Sequence, residues 1–397
     1  MRIGIDGGCL ANRRGFGRFA RQLLQALAES DSPHEFVVFV DRPSAAIVDV
    51  PSRFSTCLVK VDEAPSKAAS SNGRRSFGDL FAMTRAAAKA RLDLIYFPAT
   101  YSFFPVWGVK KVVVTMHDTL ALAHPELVFP NWKGRAAWTL KEHAAARIAD
   151  KILTVSESAR RDLLAWFRLP ADRVDVLTEG PEALFEPRPA GPESDLALTT
   201  YGLSRNTRFL LYVGGLSPHK NLPRLIEAFS KTGLAGEGVK LVIVGDTGDV
   251  FHTHVPVLRA TVTRLTLGNA VLFPGFVPDE DLVYFYNRAE ALVQPSLMEG
   301  FGLPPVEAMA CGTPVISSTS GSLPEVIGNA GLFFDPLDVL EMSRSLRLTF
   351  DNPAVRAKLA ANASRRAALF TWKESANRLL QCFDGLDPTG SLRKRPA

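Results

Sequence analysis

Pro295-Ser296-Leu297-Met298-Glu299-Gly300-Phe301-Gly302-Leu303-Pro304-Pro305-Val306-Glu307-Ala308-Met309-Ala310-Cys311-Gly312-Thr313-Pro314 decides the reading of the fold. An apolar run, Ala291–Gln294, stands before it, and a second, Pro314–Ser317, closes it. Between them lie a Gly/Pro turn and a helix with proline in its first turn, where a missing N–H costs nothing. Strand, turn, helix and strand in this order form one step of a parallel α/β sheet.

The same alternation extends in both directions. Downstream of residue 203 the strand candidates are Arg208–Gly214, Lys240–Gly245, Val271–Phe273, Ala291–Gln294, Pro314–Ser317 and Leu332–Phe334. Helical patterns separate them at Leu222–Lys231, Val255–Leu267, Asp279–Arg288, Pro304–Cys311 and Leu323–Ile327. In the first half the strands are Arg2–Asp6, Glu35–Val40, Phe54–Val61, Leu92–Pro98, Lys111–Met116, Lys151–Val155 and Val174–Thr178, with helices at Arg18–Glu29, Phe77–Arg91, Lys133–Asp150 and Ser156–Phe167. Runs such as Val112-Val113-Val114 suit strands covered on both faces. The Pro-rich texture after Phe185 reads as a linker over 188–202. The expectation is therefore an α/β chain of two Rossmann-like doubly wound domains, 1–187 and 203–370, facing across a cleft. A helix over 371–386 and a basic tail over 387–397 follow, and Ala64–Ser76 reads as a mobile loop.

The 397 residues are 46% hydrophobic and 22% charged, which excludes disorder and coiled coil. A net charge of +5 is too small to argue for nucleic acid. Cys9, Cys57, Cys311 and Cys382 have no metal-type spacing and read as reduced thiols. The start of the chain turns polar too early for a signal peptide, and the apolar region Leu94–Met116 is broken by Pro98, Pro105, Gly108, Lys110 and Lys111. A cytoplasmic protein with at most peripheral membrane contact is expected.

Several constellations carry chemistry. Gly300 and Gly302 let backbone approach a ligand, and the helix start at Leu303-Pro304 is suited to phosphate. Glu299 and Glu307, eight residues apart, offer acceptors from loop and helix: Glu307 for ribose hydroxyls, Glu299 for a sugar. A turn with solvated glutamates is the structural alternative. Gly214-Gly215-Leu216-Ser217-Pro218-His219-Lys220 places a cation at a helix start, where cations are disfavoured unless an anion is to be bound. Gly15-Phe16-Gly17-Arg18 reads as a loop before an amphipathic helix. His117-Asp118 follows a strand directly, so either a ligand-binding or a capping histidine fits. Asn131-Trp132-Lys133-Gly134-Arg135 and Trp138 read as a crossover helix with a solvated face, with an anionic membrane surface as the functional alternative.

Glu299-Gly300-Phe301-Gly302-Leu303-Pro304 with Glu307-Ala308-Met309-Ala310-Cys311-Gly312-Thr313-Pro314-Val315 resembles the E-x7-E signature of the retaining GT-B glycosyltransferases of family 4, the bacterial mannosyl-, glucosyl- and rhamnosyltransferases. The similarity runs from Gly15 to Trp372. It implies transfer of a hexose from a nucleotide-diphosphate sugar, such as GDP-mannose, to a hydroxyl acceptor in polysaccharide or glycolipid synthesis. It implies no cofactor and no obligatory metal. By the same resemblance the donor binds the C-terminal domain through Ser296, Phe301 and Leu303 as well as the glycines and glutamates above, the acceptor binds the N-terminal domain, and the last helix returns to the first domain. Lys220 is assigned to the leaving diphosphate, and His117, Asp118, Gly15, Gly17 and Arg18 to the donor sugar, diphosphate or acceptor. Arginines that many members carry at the positions of Gly215 and His219 are absent, which leaves protonated His219 or Arg18 as substitutes. A nucleotide-sugar epimerase and a silent sugar-nucleotide binder are the rival readings.

Overall fold

The computed structural model describes residues 1–12, 15–62, 76–129, 131–246 and 254–387. The loop expected over Ala64–Ser76, apart from Ser76 itself, and the basic tail beyond residue 387 lie outside the described residues. Two compact units emerge: Met1–Pro125 and Phe129–Glu179, joined by the helix after Thr371, and Gly180–Phe370 together with Glu126–Val128.

The first unit contains β1 (Arg2–Asp6), α1 (Gly15–Glu29), β2 (Glu35–Asp41), β3 (Ser55–Val59), α2 (Phe77–Lys89), β4 (Leu94–Phe97) and β5 (Lys111–Thr115). Two short helices, α3 (Leu120–Ala123) and α4 (Pro125–Val128), connect onward to α5 (Trp132–Ile148), β6 (Lys151–Thr154), α6 (Glu157–Phe167) and β7 (Val174–Val176). All seven strands are parallel, in the order β3-β2-β1-β4-β5-β6-β7. α1 shows why such elements form. Phe19, Leu23 and Leu27 recur every fourth residue, all are fully buried, and each contributes roughly 1.5–3 kcal/mol.

The second unit begins with α7 (Pro192–Thr200) and continues through β8 (Phe209–Val213), α8 (Leu222–Thr232), β9 (Lys240–Val244), α9 (Val255–Arg264), β10 (Val271–Gly275) and α10 (Asp279–Arg288). Then come β11 (Ala291–Gln294), α11 (Leu303–Ala310), β12 (Val315–Ser318), α12 (Leu323–Ile327), β13 (Gly331–Phe334), α13 (Val339–Asp351) and α14 (Pro353–Ala367). Its parallel sheet runs β10-β9-β8-β11-β12-β13. β8 is buried throughout, and Tyr212, Phe229, Ile243, Val293 and Phe334 fill the core beside it.

In both sheets the chain leaves the first strand on one side and returns on the other, so the order reverses between β1 and β4 and between β8 and β11. Ligands of open α/β sheets bind beyond the carboxyl ends of the strands at that reversal. The loops after β8 and β11 flank it in the second unit. The last helix, α15 (Trp372–Gly385), belongs to the first unit. Trp372 stacks edgewise on Phe19 at 5.8 Å, Phe383 on Tyr96 at 5.8 Å, and Asp384 meets His34 at 2.9 Å.

Two expectations need correction. The glycine loop before the first helix is already helical, because α1 starts at Gly15 rather than Arg18. The stretch 188–202 is no plain linker. It contains α7, which packs on α10 through Arg288–Asp195 at 2.9 Å and Tyr284–Glu193 at 2.9 Å. Proline at the first position of α7 starts that helix rather than excluding it.

Candidate donor site

The chain leaves β8 through Gly214 and Gly215. Gly214 has φ +150°, and a Cβ there would lie 2.8 Å from the Tyr212 hydroxyl oxygen, which itself donates to the Gly215 carbonyl at 2.6 Å. A single 3₁₀ turn, Pro218–Lys220, follows, and Asn221 then adopts the left-handed conformation to start α8. The buried Asn221 amide donates to the carbonyls of Pro295 and Pro336 at 3.0 and 2.8 Å, while Leu297 N donates to His219 O at 2.8 Å. The loops after β8 and β11 are thereby tied together, and Lys220 is fixed against the second of them.

Three donors converge on one oxygen of Glu299. Lys220 Nζ lies 2.7 Å from Oε1, Gln294 Nε2 2.7 Å and Ser296 Oγ 2.6 Å. The side chains of Glu299 and Lys220 are 12% and 17% exposed, so the pair is shielded yet reachable. Burial works to raise the Glu299 carboxyl; the charge of Lys220 and the hydrogen bonds from Lys220 and Ser296 outweigh it and hold the group below its usual value. The loop backbone is equally fixed. Ser322 Oγ donates to the carbonyls of Glu299 and Phe301 at 3.1 and 2.8 Å, and Phe301 packs edge-on to Phe370 at 5.5 Å. Gly302, with φ +97°, then caps α11. Prolines 304 and 305 remove two first-turn donors, so an anion at this helix start meets the amides of Gly302 and Leu303 rather than a full set.

The remaining candidates fall elsewhere. Glu307 is completely buried, and its Oε2 accepts from the Tyr286 hydroxyl at 2.7 Å, so its carboxylate faces the interior in this structure. Gly300 is buried within the turn. His219 does not replace the absent arginines as a cation: burial and the adjacent Lys220 push its pKa down to about 3, so the ring is neutral near pH 7. Its Nδ1 pairs with Ser217 Oγ at 3.2 Å.

A second cluster lies in the first unit. His117, at the carboxyl end of β5, has Nε2 3.0 Å from Pro98 O and Nδ1 3.6 Å from Glu179 Oε1. Because a carbonyl only accepts, Nε2 carries a proton. Phe16 and Phe19 stand edge-on to the ring at 4.8 and 4.7 Å. Asp118 Oδ1 accepts from Leu120 N at 2.8 Å and so starts α3. Gly15 is exposed, Arg18 is half-buried, and Gly17 is sterically required: a Cβ there would stand 1.7 Å from Asn12 O.

Lys220, Ser296 and Glu299 thus meet in one unit, and His117, Asp118 and the start of α1 in the other. Gln294, Asn221, Tyr286 and Glu179 were not singled out from sequence. A polar residue ending the otherwise apolar run Ala291-Leu292-Val293 was the available signal for Gln294. Among the described residues no group of three or more His, Cys, Asp or Glu side chains is placed to hold a metal ion, and no helix is long and apolar enough to cross a membrane.

Comparison with known proteins gives this geometry its family. The profile described as Glycosyltransferase Family 4 matches residues 13–180, and that described as Glycosyl transferases group 1 matches residues 200–366. The chain is 29% identical over 384 residues to O-antigen chain mannosyltransferase B of Escherichia coli, covering 93% of this chain and 95% of that protein. Sucrose-phosphate synthase of Thermosynechococcus elongatus superposes with a TM-score of 0.77 at 21% identity, over 97% of this chain and 99% of that one. Anabaena HepE, solved in complex with UDP-glucose, gives 0.71 at 19%, over 97% and 100%. With two parallel-sheet α/β units of this order and both halves matched, the chain belongs to the family 4-like glycosyltransferases of the GT-B fold.

Proposed function

We propose that this glycosyltransferase moves a hexose from a nucleoside-diphosphate sugar to a hydroxyl acceptor with retention of anomeric configuration. The observation that carries this reading is the Lys220–Glu299 pair, 2.7 Å apart beside the switch point and the start of α11. A diphosphate and its sugar need adjoining groups of opposite sign, one for the leaving anion and one for hydroxyls and developing positive charge. Lys220, with the amides of Gly302 and Leu303, takes the diphosphate. Glu299 faces the sugar.

In the proposed step the bond from the anomeric carbon to the diphosphate oxygen breaks while the acceptor oxygen bonds to the same face. The acceptor's proton passes to the departing phosphate oxygen. Glu299 stabilises the oxocarbenium character of the sugar without forming a bond to it. His117, Asp118 and the start of α1, all in the first unit, serve the acceptor. Lys220 supplies the charge that a metal supplies in other transferases, so neither metal nor cofactor is required.

Mannose is the favoured sugar and GDP-mannose the favoured donor, on the strength of the 29% identity over 384 residues to a protein named an O-antigen chain mannosyltransferase. The same likeness favours a glycan acceptor in polysaccharide synthesis; a lipid-linked acceptor, a cytoplasmic location and peripheral contact with the membrane complete the proposal.

Incubation with GDP-mannose, UDP-glucose and dTDP-glucose in excess EDTA, followed by proton NMR of the anomeric signals, tests the reading. A new signal of the donor's own anomeric configuration, or slow hydrolysis with free nucleoside diphosphate, is expected. An epimeric donor signal would show an epimerase instead, and broadened but unchanged donor signals a binding protein.

A further inference from the structure

We infer that Gln294, with Ser296, is a neutral lock that holds Glu299 in its working orientation when Lys220 turns from Glu299 to the donor diphosphate. The inference rests on the donor-site reading above and extends it to a residue that touches no substrate. Gln294 ends β11 and is buried. Its Nε2 donates to Glu299 Oε1 at 2.7 Å and lies 3.0 Å from Ser296 Oγ, which donates to the same Oε1 at 2.6 Å.

The orientation of this amide is set by chemistry. The ionised Glu299 can only accept, so the nitrogen of Gln294 must face it. The Gln294 carbonyl oxygen is left buried without a hydrogen-bond partner. A buried polar atom left unpaired is costly, so the sequence forfeits stability to aim this nitrogen at Glu299.

The grouping has a second consequence. Lys220, Gln294 and Ser296 all address Oε1, which leaves Oε2 as the oxygen for a sugar hydroxyl. Of the three, Lys220 alone is charged, so the donor diphosphate competes most strongly for it. Without Gln294, a Lys220 drawn to the diphosphate would leave Glu299 a shielded charge held by one hydroxyl. With Gln294 in place the carboxylate keeps two donors throughout and does not follow the lysine. Gln294 is thus a positioning residue acting through Glu299.

Crystal structures of Lys220→Ala and of Lys220→Ala/Gln294→Leu test the lock directly. Glu299 is expected to keep its orientation in the single variant and to lose it in the double. Turning away in the single variant, or unchanged placement in the double, would overturn the inference. Kinetics supply a second readout with Gln294→Leu and Gln294→Glu. In Gln294→Leu, kcat should fall roughly 10- to 100-fold with donor KM changed by less than about threefold, since a supporting residue and no ligand contact is lost. Gln294→Glu should work only while one of the paired carboxyls holds a proton, so its kcat should fall as pH rises while the Leu variant stays uniformly low. Equal pH profiles for the two would contradict the lock. A thermal melt of each variant identifies any that fails to fold, and the remaining variants then carry the test. Should the wild-type protein turn over no nucleotide sugar, the transferase reaction fails while the crystallographic comparison still decides the lock.

Discussion

Lys220 and Glu299 could each be picked out of the sequence as a donor-site candidate, but not as a pair. They are 79 positions apart, and their contact depends on Asn221 stitching two loops whose neighbourhood is set by strand order. Replacement of Lys220 by Ala should lower kcat/KM for donor roughly 10²- to 10³-fold, the effect of removing one charge-stabilising group from a shielded site. Steady-state kinetics with a fixed acceptor check this. Gly215 gives a prediction of opposite sign. A Cβ at this position meets nothing nearer than Ser217 Oγ at 3.8 Å, so an arginine can start from here. Gly215→Arg should tighten nucleoside-diphosphate binding roughly 3- to 10-fold, measured by calorimetry, because a planar guanidinium suits phosphate oxygens. Glu307 and His219 show where sequence reading ends. Their types and positions suggested ligands, yet burial turned one carboxylate onto Tyr286 and made the imidazole neutral. Burial at this resolution of detail is a property of packing and cannot be read from spacing.

Among the elements, α5 faces two environments. Inward, Glu142 is buried and accepts from Thr100 Oγ1 at 2.6 Å. Burial raises its pKa to about 7, against the lowering effects of that hydrogen bond and of Lys141. The folded protein therefore binds a proton that the unfolded chain releases near pH 4.5, and this stabilisation is full below pH 4.5 and lost as pH rises through about 7. Glu142→Gln should leave stability almost unchanged at pH 5 and raise it by about 1–3 kcal/mol at pH 8, read from denaturant midpoints. Outward, Trp132 and Leu140 are both 73% exposed, with the exposed cations Lys133, Arg135 and Arg147 on the same helix. Apolar anchors among cations suit an anionic bilayer. Replacing Trp132, Lys133 and Arg135 together by Ala, Glu and Glu should abolish co-sedimentation with phosphatidylglycerol vesicles at low salt without lowering the melting temperature. Helix positions were legible where the apolar period was strong, as in α1 and α10. α7 was hidden because its proline and glycine neighbours have the texture of a linker, although proline there begins the helix.

At the scale of the whole molecule, strand–helix alternation alone announced two doubly wound units, because near-continuous apolar runs separated by amphipathic ones have few other solutions. Strand order was not legible, since any parallel order satisfies the same pattern; the reversal at β1/β4 and β8/β11 needed three dimensions. Binding confined to the second unit has its own signature. A nucleoside diphosphate at 100 times its Kd should stabilise that unit by about 2.7 kcal/mol. Hydrogen exchange should then slow in residues 214–221 and 296–303 while β1–β4 are unchanged, and equal protection of both sheets would contradict the placement. Finally, α15 covers Phe19 and Tyr96 from the far end of the chain. During synthesis the second unit, complete at residue 370, can fold while the first still waits for its closing helix. The domain that is translated first is the one finished last, with an oily face bare until α15 has been made.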